Sequence, residues 1–113
     1  MGCADSNEEQ VNLPLGTLHY FDIYGRGEQI RLMLDKKGVR YTDRRFTFEQ
    51  WPEIKDQMPG KAVPAWEDRS GVMMNESLAI LRYLGKKCGY YPSKDLEMAA
   101  DCDAICDYIN DEF

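Results

Sequence analysis

No apolar run in the 113-residue chain reaches the about 18 residues that a membrane-spanning helix needs. No apolar signal segment follows the start either, so a water-soluble body is expected. Histidine is nearly absent, with His19 alone. The four cysteines, Cys3, Cys88, Cys102 and Cys106, form neither a C-x-x-C redox pair nor two zinc-type pairs. Their sparseness speaks against a dithiol oxidoreductase and fits a reducing, cytoplasmic setting. Lys/Arg-rich tracts are also missing. With 14 basic against 20 acidic residues the net charge is -6, the wrong sign for a phosphate backbone, so nucleic acid is not an expected partner. What is present is ordinary globular material, 43% hydrophobic, 12% aromatic and 30% charged. The length suits one domain or slightly more.

The opening Met1-Gly2-Cys3-Ala4-Asp5-Ser6 fits the pattern for N-myristoylation at Gly2, with Cys3 placed to take palmitate. One acyl chain anchors only marginally, and Asp5, Glu8 and Glu9 would repel an anionic leaflet, so membrane contact would need both Gly2 and Cys3. The other reading is a disordered polar leader over 1–14.

Farther on, Thr17 to Ile23 is rich in β-formers and stops at Gly25, predicting a strand. Glu28 to Lys37 sets Ile30, Met33 and Leu34 at helical spacing, ends on Lys36-Lys37 and stops at Gly38. Val39 to Phe48 predicts a second strand, and Trp51 to Met58 a short helical or irregular link. In Ala62 to Glu67, Pro64 cannot donate to a ladder, which puts it at an edge, at a strand start or in a cis bond. Asp68 to Gly71 predicts a turn, and Val72 to Met74 completes a hairpin. Ser77 to Lys87 predicts a helix with Ser77 as N-cap.

The order β-α-β-α-β-β-α implies a three-layer α/β domain over 15–92. Beyond it, 93–113 holds a strong helix from Asp95 to Phe113, with Met98, Cys102, Ile105 and Ile109 as one apolar stripe. That stripe predicts exposed apolar surface and self-association. Cys102 and Cys106 lie four apart on a shared face, where plain core packing is the ordinary reading.

Five separated motifs then carry a resemblance. They are Tyr20-Phe21; Gly25-Arg26-Gly27-Glu28 with Arg31; Trp51-Pro52-Glu53-Ile54-Lys55; Val63-Pro64; and Glu76-Ser77-Leu78-Ala79-Ile80-x-Arg82-Tyr83-Leu84. Together and in this order they resemble the glutathione transferases, the sigma class in particular. The resemblance runs from about Leu15 to Phe113. It implies a thioredoxin-like glutathione-binding domain followed by the first helix of an otherwise missing all-helical domain. It also implies a cytoplasmic homodimeric enzyme of glutathione metabolism and detoxification, with glutathione as co-substrate and soft electrophiles as partners.

By the same resemblance Tyr20 is the catalytic hydroxyl that holds the glutathione thiolate. Arg26, Trp51, Lys55, Val63, Pro64, Glu76 and Ser77 orient the tripeptide, and Asp111 reaches the ligand of a second subunit. Trp51 and Lys55, four apart, present an indole donor and an ammonium for the glycyl carboxylate. Val63 before a cis proline would pair its backbone with the cysteinyl part, as an added strand does. The amides at the head of the helix, with Ser77, suit the γ-glutamyl carboxylate, and Glu76 its ammonium. Asp103 and Asp107 match a cation site of some members, against a plain solvated acidic face with no metal. Ala62 stands where relatives carry a glutamine or lysine, which removes one ligand contact unless Lys61 supplies it. His19 should point away from Tyr20 and has no catalytic role. The rival reading is a non-catalytic binding or adaptor module that keeps the thioredoxin-like fold and lacks the electrophile pocket.

Overall fold

A computed structural model describes residues 13–111, with side chains through residue 108. Gly2 and Cys3, the acylation candidates, lie outside the described residues. Strand β1 spans Gly16–Phe21 and β2 spans Thr42–Phe46, paired in parallel with Thr17 opposite Thr42 and Phe21 opposite Phe46. A parallel pair needs a crossover, and helix α1, Gly25–Lys37, supplies it. Helix α2, Trp51–Ile54, continues into two 3-10 turns, Lys55–Gln57 and Pro59–Lys61. Strand β3, Ala65–Asp68, runs antiparallel to β1, and β4, Met73–Asn75, antiparallel to β3. The sheet order is β2-β1-β3-β4. Helix α3, Ser77–Lys87, and helix α4, Leu96–Asp111, complete the described chain. A β-α-β unit followed by β-β-α is the expected thioredoxin-like α/β arrangement.

Helices cover both sheet faces. On one, Ile30 and Leu34 of α1 and Ile80 and Leu84 of α3 close over Leu18 and Trp66, all fully buried. Each such side chain contributes roughly 1.5–3 kcal/mol by leaving water. On the other, Phe46, Ile54, Met58 and Ala65 form a smaller core with Phe21 and Trp51 against it. His19 sits on this second side, 5% exposed. Its Nδ1 accepts from Arg44 Nη1 at 3.1 Å, so Nε2 carries the proton and donates to Glu67 Oε1 at 3.0 Å. The edge strand β2 is charged: Arg45 reaches Asp22 and Asp43, both at 2.9 Å.

Several expectations shift. The Gly25-Arg26-Gly27 segment is the first turn of α1 rather than a loop before a helix starting at Glu28, because Tyr24 already accepts from the Glu28 amide at 2.9 Å. Strand β2 is shorter than Val39 to Phe48: the Val39 amide bonds back to Leu34 as α1 terminates. Ser77 is the first residue of α3, not its N-cap. Glu76 holds that place at φ 70°, and no side chain caps the helix.

The face of α4 also differs from the expected stripe. Ala99 is buried and Cys102 and Cys106 are half-buried, while Met98 and Ile105 are exposed. Ion pairs fix this rotation. Arg82 of α3 donates to Asp103 at 2.8 Å and to Asp107 at 2.9 Å, and the Tyr91 hydroxyl donates to Asp103 at 2.9 Å. Leu96 and Tyr108 are exposed as well. The side chain of Ile109 lies outside those described. No helix among the described residues is long and apolar enough to cross a membrane.

Candidate functional site

Tyr20 is the fifth residue of β1 and lies on the same sheet face as Leu18, so its ring runs beneath the start of α1. It is 7% exposed. Its fit demands glycine twice. A Cβ on Gly25 would strike the Tyr20 hydroxyl, and one on Gly27 would meet Cγ of the ring at 2.7 Å. Gly25 also adopts φ 41°, a region side chains avoid. The close approach brings the Arg26 amide within 3.0 Å of the Tyr20 oxygen, to which it donates.

Arg31 holds the phenol from the other side, a role that sequence reasoning did not assign. Only 1% exposed, its guanidinium lies 5.5 Å from the Tyr20 ring centroid. It donates to the carbonyls of Ile23 at 2.7 Å and Phe21 at 3.0 Å and to Asp43 at 3.0 Å. These bonds lock the chain between β1 and α1. The available signal was an arginine set between Ile30 and Leu34 on the core-facing side of α1, a place where a charge survives only with partners.

Beside the Arg26 end of α1 opens a cleft of about 160 Å³, lined by Arg26, Ala62, Val63, Pro64, Glu76 and Ser77. The structure thus brings five of the eight expected glutathione contacts, Arg26, Val63, Pro64, Glu76 and Ser77, to one place. The Val63-Pro64 peptide is cis, and the β3 to β4 ladder starts after it, at Ala65 opposite Asn75. Ser77 is buried at the head of α3, whose first amides meet no side-chain cap. Such an end favours an anion. Glu76, exposed, adds a carboxylate for a cation. Its φ of 70° is costly for a residue with a Cβ, about 1–3 kcal/mol, and outliers of this kind concentrate at ligand sites.

Trp51 and Lys55 stand outside this lining. Trp51 stacks on Phe46 at 5.8 Å and meets Phe21 edge-on at 5.4 Å, and the exposed Lys55 follows one helical turn later. Lys61, whose contribution the sequence leaves open, is exposed, pairs with Asp56 at 3.6 Å and does not line the cleft. Asp103 and Asp107 are engaged by Arg82 and Tyr91, and among the described residues no cluster of three or more metal-ligating side chains occurs. Asp111 ends the α4 backbone, its side chain outside those described.

Residues 16–86 match the family model for the glutathione S-transferase N-terminal domain. The chain belongs to the glutathione transferase family. The chain is 39% identical over 95 residues to S-crystallin SL20-1 of Nototodarus sloanii, an alignment covering 84% of the chain and 42% of the relative. It is 38% identical over 99 residues to the hematopoietic prostaglandin D synthase of Gallus gallus, covering 88% and 49%. Among solved structures it resembles prostaglandin synthase D of Nilaparvata lugens, with a TM-score of 0.78 and 41% identity over 87% of the chain and 48% of that structure. A sigma-class transferase from Fasciola hepatica gives a TM-score of 0.60 at 40% identity, over 66% and 37%. The chain thus spans about half the length of the relatives it matches.

Proposed function

We propose that this chain is the glutathione-binding part of a sigma-like transferase, in which Tyr20 holds the tripeptide's sulfur as thiolate for addition to a soft electrophile or for a related isomerisation. The observation that carries the reading is the placement of the Tyr20 hydroxyl, fixed by the Arg26 amide at 3.0 Å, at the start of the helix whose Arg26 lines the cleft. A free thiol titrates at about 8.5, and a tyrosine stays protonated to about 10. One hydrogen bond to a charged group is worth about 1.5–3 kcal/mol, or roughly one to two pH units, enough to bring the thiol to neutrality or below.

The γ-glutamyl group fits the cleft by charge, its carboxylate at the uncapped head of α3 with Ser77 and its ammonium at Glu76. Val63 and Pro64 would receive the cysteinyl part. A tripeptide is larger than a cleft of about 160 Å³, so its glycyl end would extend beyond it, toward Trp51 and Lys55. A second copy would add Asp111, and the expected setting is the cytosol.

Ultraviolet difference spectra of the chain with glutathione test the proposal. Thiolate absorbance near neutral pH is the expected result. Glutathione binding with the sulfur protonated until above pH 8 would move the assignment to the rival, a non-catalytic module, which a relative named S-crystallin keeps in view.

A further inference from the structure

Away from the glutathione cleft, α1, α3 and α4 line a second, solvent-open cavity of about 130 Å³ to which three sulfur-bearing residues contribute. Met33, Cys102 and Cys106 line it together with Leu81, Gly85, Tyr90 and Tyr91, and Arg82 stands at its edge. Both cysteines are free and half-buried. We infer that Cys102 and Cys106 form a two-thiol capture site for a trivalent aryl arsenical, with the arsenic bridging the sulfurs and the ring seated in the cavity.

The geometry selects a bridging atom over a disulfide. Residues four apart on a helix have Cβ atoms about 5–6 Å apart, whereas a disulfide needs about 3.5–4.5 Å. Unless α4 unwinds, the two sulfurs stay reduced and side by side. A soft centre that makes two bonds to sulfur spans such a gap, and soft centres prefer thiolate and thioether donors. The cavity then supplies shape. An enclosed apolar hole of about 150 Å³ is known to hold a benzene ring; this one is close in volume but open on one side, so an arsenic-bound ring would lie along the Met33 thioether and the two tyrosine rings with its outer face to solvent.

The reaction balances without an oxidant. An arsenoxide R-As=O meets two S-H groups, two As-S bonds form, and the oxygen leaves as water with both thiol protons. Arsenic stays trivalent throughout. Burial pushes the Cys106 thiol up; Arg82 opposes this, and Asp103 and Cys102 add to it. Single alkylating agents, which need a thiolate, should therefore react slowly here, while two-point capture retains its advantage.

Phenylarsine oxide added to the reduced full chain provides the test, read by intact mass. The expected product is a one-to-one adduct that has lost one water, survives excess monothiol and is reversed by a dithiol. Trypsin cuts after Lys94, so the peptide 95–113 contains Cys102 and Cys106 and no other cysteine. With the chain unfolded in denaturant, so that burial no longer slows alkylation, both should be protected from iodoacetamide in the wild-type adduct and both labelled in the untreated chain, a readout that needs no variant. Cys102→Ser or Cys106→Ser should lower retention under monothiol at least tenfold, and Cys88→Ser or Cys3→Ser should leave it unchanged. Protection of Cys88 or Cys3 instead, retention in either single variant, or no adduct at all would overturn the inference. None of these outcomes depends on glutathione binding at Tyr20.

Discussion

The Arg26 main-chain N-H donates to the Tyr20 hydroxyl oxygen across 3.0 Å. The fold thereby occupies an acceptor position of the phenol from within and leaves its proton for a second partner. Removing the hydroxyl should strip the thiolate of its donor and leave the cleft intact. On the proposed function, Tyr20→Phe is expected to lower turnover of glutathione with a soft electrophile about 10- to 100-fold, equivalent to one charge-assisted hydrogen bond. Glutathione affinity by calorimetry should change little. Unaltered turnover would discard the mechanism.

Gly27 offers a case in which helix propensity and packing oppose each other. Alanine within a helix normally gains about 1 kcal/mol over glycine. Here the added methyl meets the Tyr20 ring at 2.7 Å or closer. Gly27→Ala is expected to lose about 1–3 kcal/mol net, as overpacked sites do, measured by urea unfolding. A stabilised variant would show that the ring gives way.

Glu76 should separate stability from binding. Glycine at φ 70° carries no Cβ penalty, so Glu76→Gly is expected to gain about 1 kcal/mol in thermal unfolding. The same change deletes the carboxylate facing the cleft and should weaken glutathione. A variant both less stable and unchanged in affinity would refute this.

Asp68 gives a pH signature. Burial alone would raise its carboxyl; hydrogen bonds from Trp66 and Tyr83, both at 3.2 Å, and the Lys87 ammonium outweigh that and hold it below the ordinary 3.8. A carboxylate with a depressed folded value stabilises fully above its unfolded value and loses that contribution as pH falls through the folded one. Asp68→Asn is expected to cost about 1–2 kcal/mol at pH 7, shrinking toward zero as pH falls through the depressed folded value. A difference that stays constant through the acid range would contradict the assignment.

Arg82 fixes the roll of α4. Because it and both carboxylates are partly exposed, the clamp is worth only about 1 kcal/mol. Arg82→Ala should raise amide exchange in residues 96–108 roughly five-fold without touching the sheet. Exchange equal to wild type would mean that apolar contacts alone seat the helix.

The sequence carried most of this fold because its punctuation is local. Gly38 ends α1, Asp68 to Gly71 turns the hairpin, and α3 runs from Ser77 to Lys87 as expected. The errors arose where distant partners decide. Nothing local tells that Arg82 will grip Asp103 and Asp107, so apolar spacing alone does not set the face that α4 buries. Glu76 takes the left-handed position that turn chemistry would give to glycine, which shifted the cap by one residue. Arg31 stands within a motif, yet its bond to Asp43 and its place beside the Tyr20 ring depend on β2 folding alongside β1. The cleft residues were legible as motifs; their convergence required the sheet.

The outermost strand of the sheet bears on handling of the protein. A bare β-edge is a template on which other chains can zip up into fibrils. At β2 an arriving strand would first have to break the grip of Arg45 on Asp22 and Asp43, and at the opposite edge β4 offers only three residues. Amyloid-type growth from the native state therefore starts at a disadvantage, and clumping of concentrated samples should trace to the greasy outer side of the last helix, at Leu96, Met98, Ile105 and Tyr108.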